Sequence, residues 1–203
     1  MIPLLLVAAY VVGSIPFGYL IARANGVDIL KAGSGNIGAT NVYRVLGSTR
    51  QGKWLGLGVF LLDVLKGFLP AATGYYLLGH SQLWAFLIGM GAVAGHCLSP
   101  FLGFKGGKGV ATGLGVVFGS CPLVAASAFG IFLISMALTR FVSLSSLIAA
   151  IALVPLGFAF QVHYVLIWAF AALALFVFYR HRPNIKRLLS GDEPKFVFKS
   201  DNT

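Results

Sequence analysis

Seven apolar runs, at residues 2–22, 54–78, 83–102, 110–120, 123–138, 144–160 and 162–179, occupy most of this chain. A hydrocarbon core about 30 Å thick takes roughly 20 apolar residues per helix, so runs of this kind read as membrane spans. Composition agrees. Of 203 residues, 58% are hydrophobic and 10% charged, with a mean hydropathy of +0.90, far from the one-quarter charged fraction of soluble domains. The expectation is an all-α integral membrane protein folded as one domain over residues 1–203, with no room for a separate soluble unit. The first run has no positive segment before it and ends in Arg23 rather than at a small-residue cleavage site, so it is read as an uncleaved span.

The fourth run is too short for an upright crossing and contains Gly113, Gly115 and Gly119. It is a short tilted helix, or else half of one long helix with the fifth run. Charge parity separates the two readings. With Cys121–Pro122 as a turn, Arg23, Lys31, Arg44, Arg50, Lys53, Lys105, Lys108, Arg140, Arg180, Arg182, Lys186, Arg187, Lys195 and Lys199 all fall on one side. The opposite connections, around residues 79–82, 121–122 and 161–163, carry no Lys or Arg. Merging the two runs would send Arg140 and the basic tail outside, against the positive-inside rule. Seven spans are therefore expected, with the amino terminus outside and the carboxyl terminus cytoplasmic. The net charge of +10 reports this topology first, and nucleic acid is excluded as a partner because the cations sit at span ends rather than on a soluble face.

Three polar islands interrupt the apolar pattern, all on the cytoplasmic side of that topology: 32–47 (AGSGNIGATNVYRVLG), 95–112 (GHCLSPFLGFKGGKGVAT) and 180–193 (RHRPNIKRLLSGDE). Irregular, charged backbone at membrane depth is tolerated where it lines a protein cavity. The first island contains Gly33, Gly35 and Gly38 in a G-x-G-x-x-G spacing, but no strand precedes it and no acidic residue follows at the distance a βαβ unit needs, so a Rossmann fold is rejected. Its glycines admit an anion close to backbone N–H groups ahead of a helix beginning near Thr40. Ser34, Asn36, Thr40 and Asn41 add neutral donors, and Arg44 a fork suited to phosphate. The second island, with Lys105, Gly106, Gly107, Lys108 and Gly109, lacks the spacing and hydroxyl of a Walker loop; two lysines on a glycine hinge still form a cationic cradle. In the third, His181 and Asn184 share a helical face, where an imidazole beside an amide can orient a hydroxyl. Glu193, with Asp192, is assigned a structural role, holding this segment to a cation in another loop.

Other polar residues are weighed more plainly. Asp63 and Lys66, three apart within a span, read as an ion pair rather than a proton path. The serines at 143, 145 and 146 read as helix caps, one of them available to substrate. For His96, chemistry and a simple hydrogen bond stand level. Cys97 and Cys121, with no metal-ligand spacing, read as small apolar fillers. No metal or cofactor is expected.

SGNIGATNVYRVLG, GHCLSPFLGFKGGKGVAT and HRPNIKRLLSGDE resemble, in order along the chain, the three signature segments of the PlsY family of bacterial acyl-phosphate:glycerol-3-phosphate acyltransferases. The resemblance implies an inner-membrane enzyme that moves a fatty acyl group from acyl phosphate to position 1 of sn-glycerol 3-phosphate, the first step of bacterial phospholipid synthesis. It carries catalytic roles onto Ser34, Arg44, His181 and Asn184 and a structural role onto Glu193. The glycine-rich segment falls on residues 105–109, where Lys105 is chosen over Lys108, and a serine beside the sixth span is required, with Ser143 the candidate. Gly35, Asn36, Gly38, Thr40, Asn41, Gly106, Gly107, Lys108 and Gly109 complete the expected phosphate-binding set. An acyl phosphate carries its own good leaving group, so direct attack by the glycerol hydroxyl needs no covalent enzyme intermediate. The base is either substrate phosphate or His181. No His-x4-Asp motif of acyl-CoA-dependent enzymes occurs: Ala85, Phe101, Trp168 and Lys186 stand five residues after the four histidines. A small transporter of organic phosphate anions is the competing reading.

Overall fold

A computed structural model describes residues 1–197; Lys199, counted above among the basic-side cations, lies outside them. The described chain is all helical: α1 (Ile2–Ser14), α2 (Phe17–Ala24), α3 (Ala39–Leu46), α4 (Arg50–Leu77), α5 (Gln82–Cys97), α6 (Val110–Ser120), α7 (Pro122–Thr139), α8 (Val142–Ala159), α9 (Tyr164–Arg180) and α10 (Arg182–Ser190), with one 3-10 turn at Pro100–Leu102. Apolar side chains project from the outer surface, with Leu4, Leu138, Trp168 and Leu175 among the most exposed. Water would reject such a surface, whereas lipid accepts it.

Among the described residues, five helical stretches are long and apolar enough to cross a bilayer: Ile2–Ala24, Arg50–Leu77, Gln82–Leu102, Pro122–Thr139 and Val142–Ala159. A sixth is obtained if α9 and α10, bent by 62° at His181, count together, while α6 has only 11 residues. Local chemistry moves several expected boundaries. Pro16 holds Ile15 in extended backbone and splits the first run into α1 and α2. Thr49 caps α4 by accepting from Gly52 N at 3.0 Å, starting that helix at Arg50, four residues earlier than the apolar run does. Cys121 and Pro122 form the expected turn between α6 and α7.

α6 packs against α4 and α5, α1 against α5, and α7, α8 and α9 against one another in sequence. Small residues permit the closest approaches: a Cβ on Gly67 would collide with the Thr112 carbonyl, and one on Gly115 with the Val64 carbonyl. With lipid on both sides of the comparison, such van der Waals contact rather than hydrophobic transfer holds helices together. The main apolar core, including Phe86, Val116, Val124 and Phe170, lies among α4 to α9. At one end of this bundle α4 and α6 face α7, α8 and α9 across a cavity, and all three polar islands close over it.

Candidate active site

The first island folds around one amide. Asn41, 2% exposed at the base of α3, accepts from Ser34 N at 2.8 Å and donates to the carbonyls of Ala32 (3.0 Å) and Asn36 (2.8 Å). Gly33, at φ +60, lets the chain turn back over it; a Cβ there would meet Asn41 Oδ1. Asn36 Oδ1 in turn accepts from Gly38 N at 2.8 Å. The result presents Ser34, Asn36, Thr40 and Arg44 to the cavity. Two expectations change here. The donor group of Asn41 is taken up by its own loop, and Gly35 faces the Leu30 carbonyl rather than the cavity.

In the second island, Gly103 and Phe104 both adopt left-handed backbone (φ +61 and +60), which turns Lys105 outward. Lys105 is exposed and does not line the cavity; Lys108, half-buried, does. The geometry thus reverses the choice between the two lysines. Gly106 and Gly107 also lie outside the cavity, pressed against His96, while Gly109 lines it. Part of the expected cradle of backbone amides is already engaged: Ser34 N, Gly35 N, Gly38 N, Lys105 N and Gly107 N all donate within the protein.

The third island supplies the densest chemistry. His181 sits at the bend between α9 and α10, 2% exposed, with Nδ1 2.8 Å from the Val177 carbonyl. A carbonyl only accepts, so Nδ1 carries the proton and Nε2 keeps the lone pair. Burial first, and the neighbouring Lys108 charge second, push the imidazole down to about 4 and keep it neutral. Asn184 accepts from Lys108 Nζ and donates to Glu193 Oε1 at 2.7 Å. Ser143 Oγ of α8 donates to the same oxygen at 2.7 Å, and Arg187 Nε to Oε2 at 2.7 Å. Burial works to raise the Glu193 carboxyl; the hydrogen bonds from Ser143, Asn184 and Arg187 outweigh it and hold its pKa below the usual value. The expected partner in another loop is replaced by Arg187 of its own segment, and Asp192 turns away to accept from Ser190. Of the three serines, Ser145 and Ser146 bond back to Phe141 and Val142, leaving Ser143 as the one that joins this network.

Arg44, Lys108, Arg187, His181, Asn184 and Glu193 therefore line one polar end of a cavity of about 220 Å³. Leu114, Val117, Phe129, Phe132, Leu153 and Leu173 line the rest. Lys108 is held down to about 8, chiefly by burial; Glu193 opposes the shift, and Arg187, Arg44 and Arg180 add to it. A bound anion would lift it again. Among the described residues no cluster of His, Cys, Asp or Glu is placed to hold a metal.

Known proteins resemble this chain in sequence and in overall fold. The sequence profile of the glycerol-3-phosphate acyltransferase family covers residues 3–191. The chain belongs to that family. Its relatives include glycerol-3-phosphate acyltransferases of Geobacter sulfurreducens, 46% identical over 95% of this chain and 96% of that protein, and of Aquifex aeolicus, 45% identical over 95% and 97%. Among solved structures it is similar to PlsY, an integral membrane glycerol 3-phosphate acyltransferase, in its glycerol 3-phosphate form. The TM-score is 0.89 at 42% identity, covering 97% of this chain and 96% of the other. The lysophosphatidic acid form gives 0.87.

Within this acyltransferase, three residues outside the expected site set also line the cavity wall. Arg187, which residue order marks only as a topogenic cation, faces Glu193 and the cavity. Asp63 and His96 reach the same wall from α4 and α5. An acid and an imidazole inside spans are themselves a signal, because lipid makes both costly. The Asp63–Lys66 pair forms as expected, at 2.7 Å, and both cysteines are buried free thiols.

Proposed function

We propose that this protein transfers a fatty acyl group from acyl phosphate to the 1-hydroxyl of sn-glycerol 3-phosphate, releasing lysophosphatidic acid and inorganic phosphate. The observation that carries the reading is the single cavity with cations at one end and apolar walls along the other, which fits a phosphate-headed lipid beside a small phosphate ester. Arg44, Lys108 and Arg187 offset the mutual repulsion of the two anions, and Ser34 and Asn36 on the cavity wall add neutral donors. Thr40 and Gly109 complete the wall, with Ser143 and Asn184 setting its electrostatics through Glu193.

The step is direct. The glycerol oxygen attacks the acyl carbonyl carbon, a C–O ester bond forms, and the carbonyl-to-phosphate C–O bond breaks with its electron pair leaving on phosphate. His181 Nε2 accepts the hydroxyl hydrogen bond and orients the nucleophile. An imidazole held down to about 4 is a weak final proton acceptor, so the proton ends on the far more basic phosphate oxygen freed by the departing C–O bond. No protein nucleophile and no cofactor take part.

The same proposal makes residues 1–203 one domain of seven spans, α6 and α9 completing the count, in a bacterial inner membrane. The amino terminus is outside, and the cavity faces the cytoplasm. Convergence of the three islands at one end of the bundle supports this orientation, as do connections on the opposite side without Lys or Arg. Purified protein in detergent, given acyl phosphate and glycerol 3-phosphate, should yield lysophosphatidic acid without any vesicle, and acyl-CoA or acyl-carrier protein should not replace the donor. No product in detergent, with phosphate-ester uptake into proteoliposomes, would instead favour the transporter.

A further inference from the structure

Beneath the second island runs a line of buried polar groups that the reaction does not consume. Lys66 Nζ donates to the Ile15 carbonyl at 2.9 Å, at the break between α1 and α2, and lies 2.7 Å from Asp63 Oδ1. That oxygen is 3.6 Å from His96 Nδ1. Asp63, Lys66 and His96 are 3%, 3% and 4% exposed. Replacing a buried pair with apolar side chains is often neutral or stabilising, so stability alone does not account for these charges.

The far end of the line meets the glycine loop. The His96 ring lies against Gly107, where any Cβ would collide with Nε2, Cε1 and Cδ2. Gly107 N donates to the His96 carbonyl at 3.1 Å, and Gly106 is pressed on the same carbonyl. Arg180 donates to the carbonyls of Gly106 (3.2 Å) and Gly107 (2.6 Å). The next residue is Lys108, the cation that enters the cavity.

We propose that His96 is a positioning residue whose ring sets the seat of the Gly106–Gly107 segment and thereby places the Lys108 ammonium, with Asp63 orienting the ring. Glycine at 107 is then required by the imidazole beneath it rather than by the backbone conformation, since the positive φ values of this loop fall at Gly103, Phe104 and Gly109. His96 Nδ1 has no hydrogen-bond partner although it is buried, so it is held by the Asp63 charge and by packing.

The inference rests on the phosphate-binding role given to Lys108 above, and its test reads binding separately from turnover. Full-length protein in detergent is titrated calorimetrically with orthophosphate. His96→Ala and Gly107→Ala each weaken binding by about tenfold. The double variant binds no worse than His96→Ala alone, because the space left by the ring takes the added methyl, a coupling that a double-mutant cycle isolates. Asp63→Asn weakens binding by about threefold and raises the KM of the same substrate that Lys108→Ala affects, with kcat changed less than about twofold. If His96→Ala does not fold, His96→Gln carries the same arm. Equal cost of Gly107→Ala in both backgrounds overturns the proposal, as does unchanged phosphate binding on loss of the ring, or no orthophosphate binding by the wild type. A wild type that obeys the cycle but makes no lysophosphatidic acid would sink the functional reading and leave this one standing.

Discussion

Two buried carboxylates organise this molecule, and they do so differently. Glu193 lies beyond the last span and is saturated by short hydrogen bonds from three side chains on two helices: Ser143 of α8, and Asn184 and Arg187 of α10. Asp63 lies inside α4 and is balanced by one ammonium at 2.7 Å, with an imidazole further off at 3.6 Å. The first arrangement fixes groups that face the substrates. The second ties a break in the first span to the underside of a loop. Full hydrogen bonding lets a charge sit at a catalytic wall without drifting, whereas a lone ion pair in a span is kept at a cost to stability.

Removing the imidazole that orients the nucleophile should have the largest effect. His181→Gln is expected to lower kcat by about 10²- to 10⁴-fold with the fold intact, as measured by turnover alongside thermal unfolding in detergent. In the wild type the imidazole is neutral above its depressed pKa of about 4. The kcat profile should therefore show no His inflection near the ordinary value of 6.5 and should fall only as pH approaches 4. The sign for stability follows from the same shift: the unfolded chain takes up this proton near 6.5 and the folded one near 4. Stability from His181 is thus present above 6.5 and lost as pH falls from there towards 4.

Breaking the saturated acid comes next. Glu193→Gln keeps the shape but removes the charge facing Arg187 and Lys108, and turnover should drop by about 10- to 100-fold. Asp63→Asn inverts the balance between turnover and stability. It strands Lys66 in the span, a loss of about 3–5 kcal/mol and roughly 6–20 °C in Tm, while catalysis changes mainly through KM. If Glu193→Gln proved the more destabilising and Asp63→Asn the more damaging to kcat, the contrast between the two acids would be wrong. Raising pH through about 8 deprotonates Lys108 and should increase KM for the phosphate-bearing substrate, an effect absent in Lys108→Ala. Lys105→Ala should stay within about twofold of wild type, as befits an exposed side chain outside the cavity.

Much of this was legible in residue order. Apolar run length located the five helical stretches long enough to cross a bilayer, because lipid enforces both helix and length, and three glycine- and cation-rich islands pointed to one cavity. What the sequence hid was direction. Two lysines three residues apart are equivalent on paper, yet left-handed backbone at Gly103 and Phe104 turns Lys105 out and leaves Lys108 in. Glycine and asparagine read as donors for phosphate, but Asn41 spends its amide folding its own loop, and the N–H groups of Ser34, Gly35, Gly38, Lys105 and Gly107 bond internally. Glu193 could be matched to a cation by charge alone; that the cation is Arg187, six residues earlier, depends on how α10 ends at Gly191 in left-handed backbone.

Direct transfer inside one shared cavity is tested most simply by mixing purified protein with acyl phosphate alone, quenching, and weighing the intact chain by mass spectrometry. The account predicts an unmodified chain and no phosphate release until glycerol 3-phosphate is added, then lysophosphatidic acid and phosphate in equal amounts. An acylated protein that forms without the acceptor and is discharged by it would contradict it.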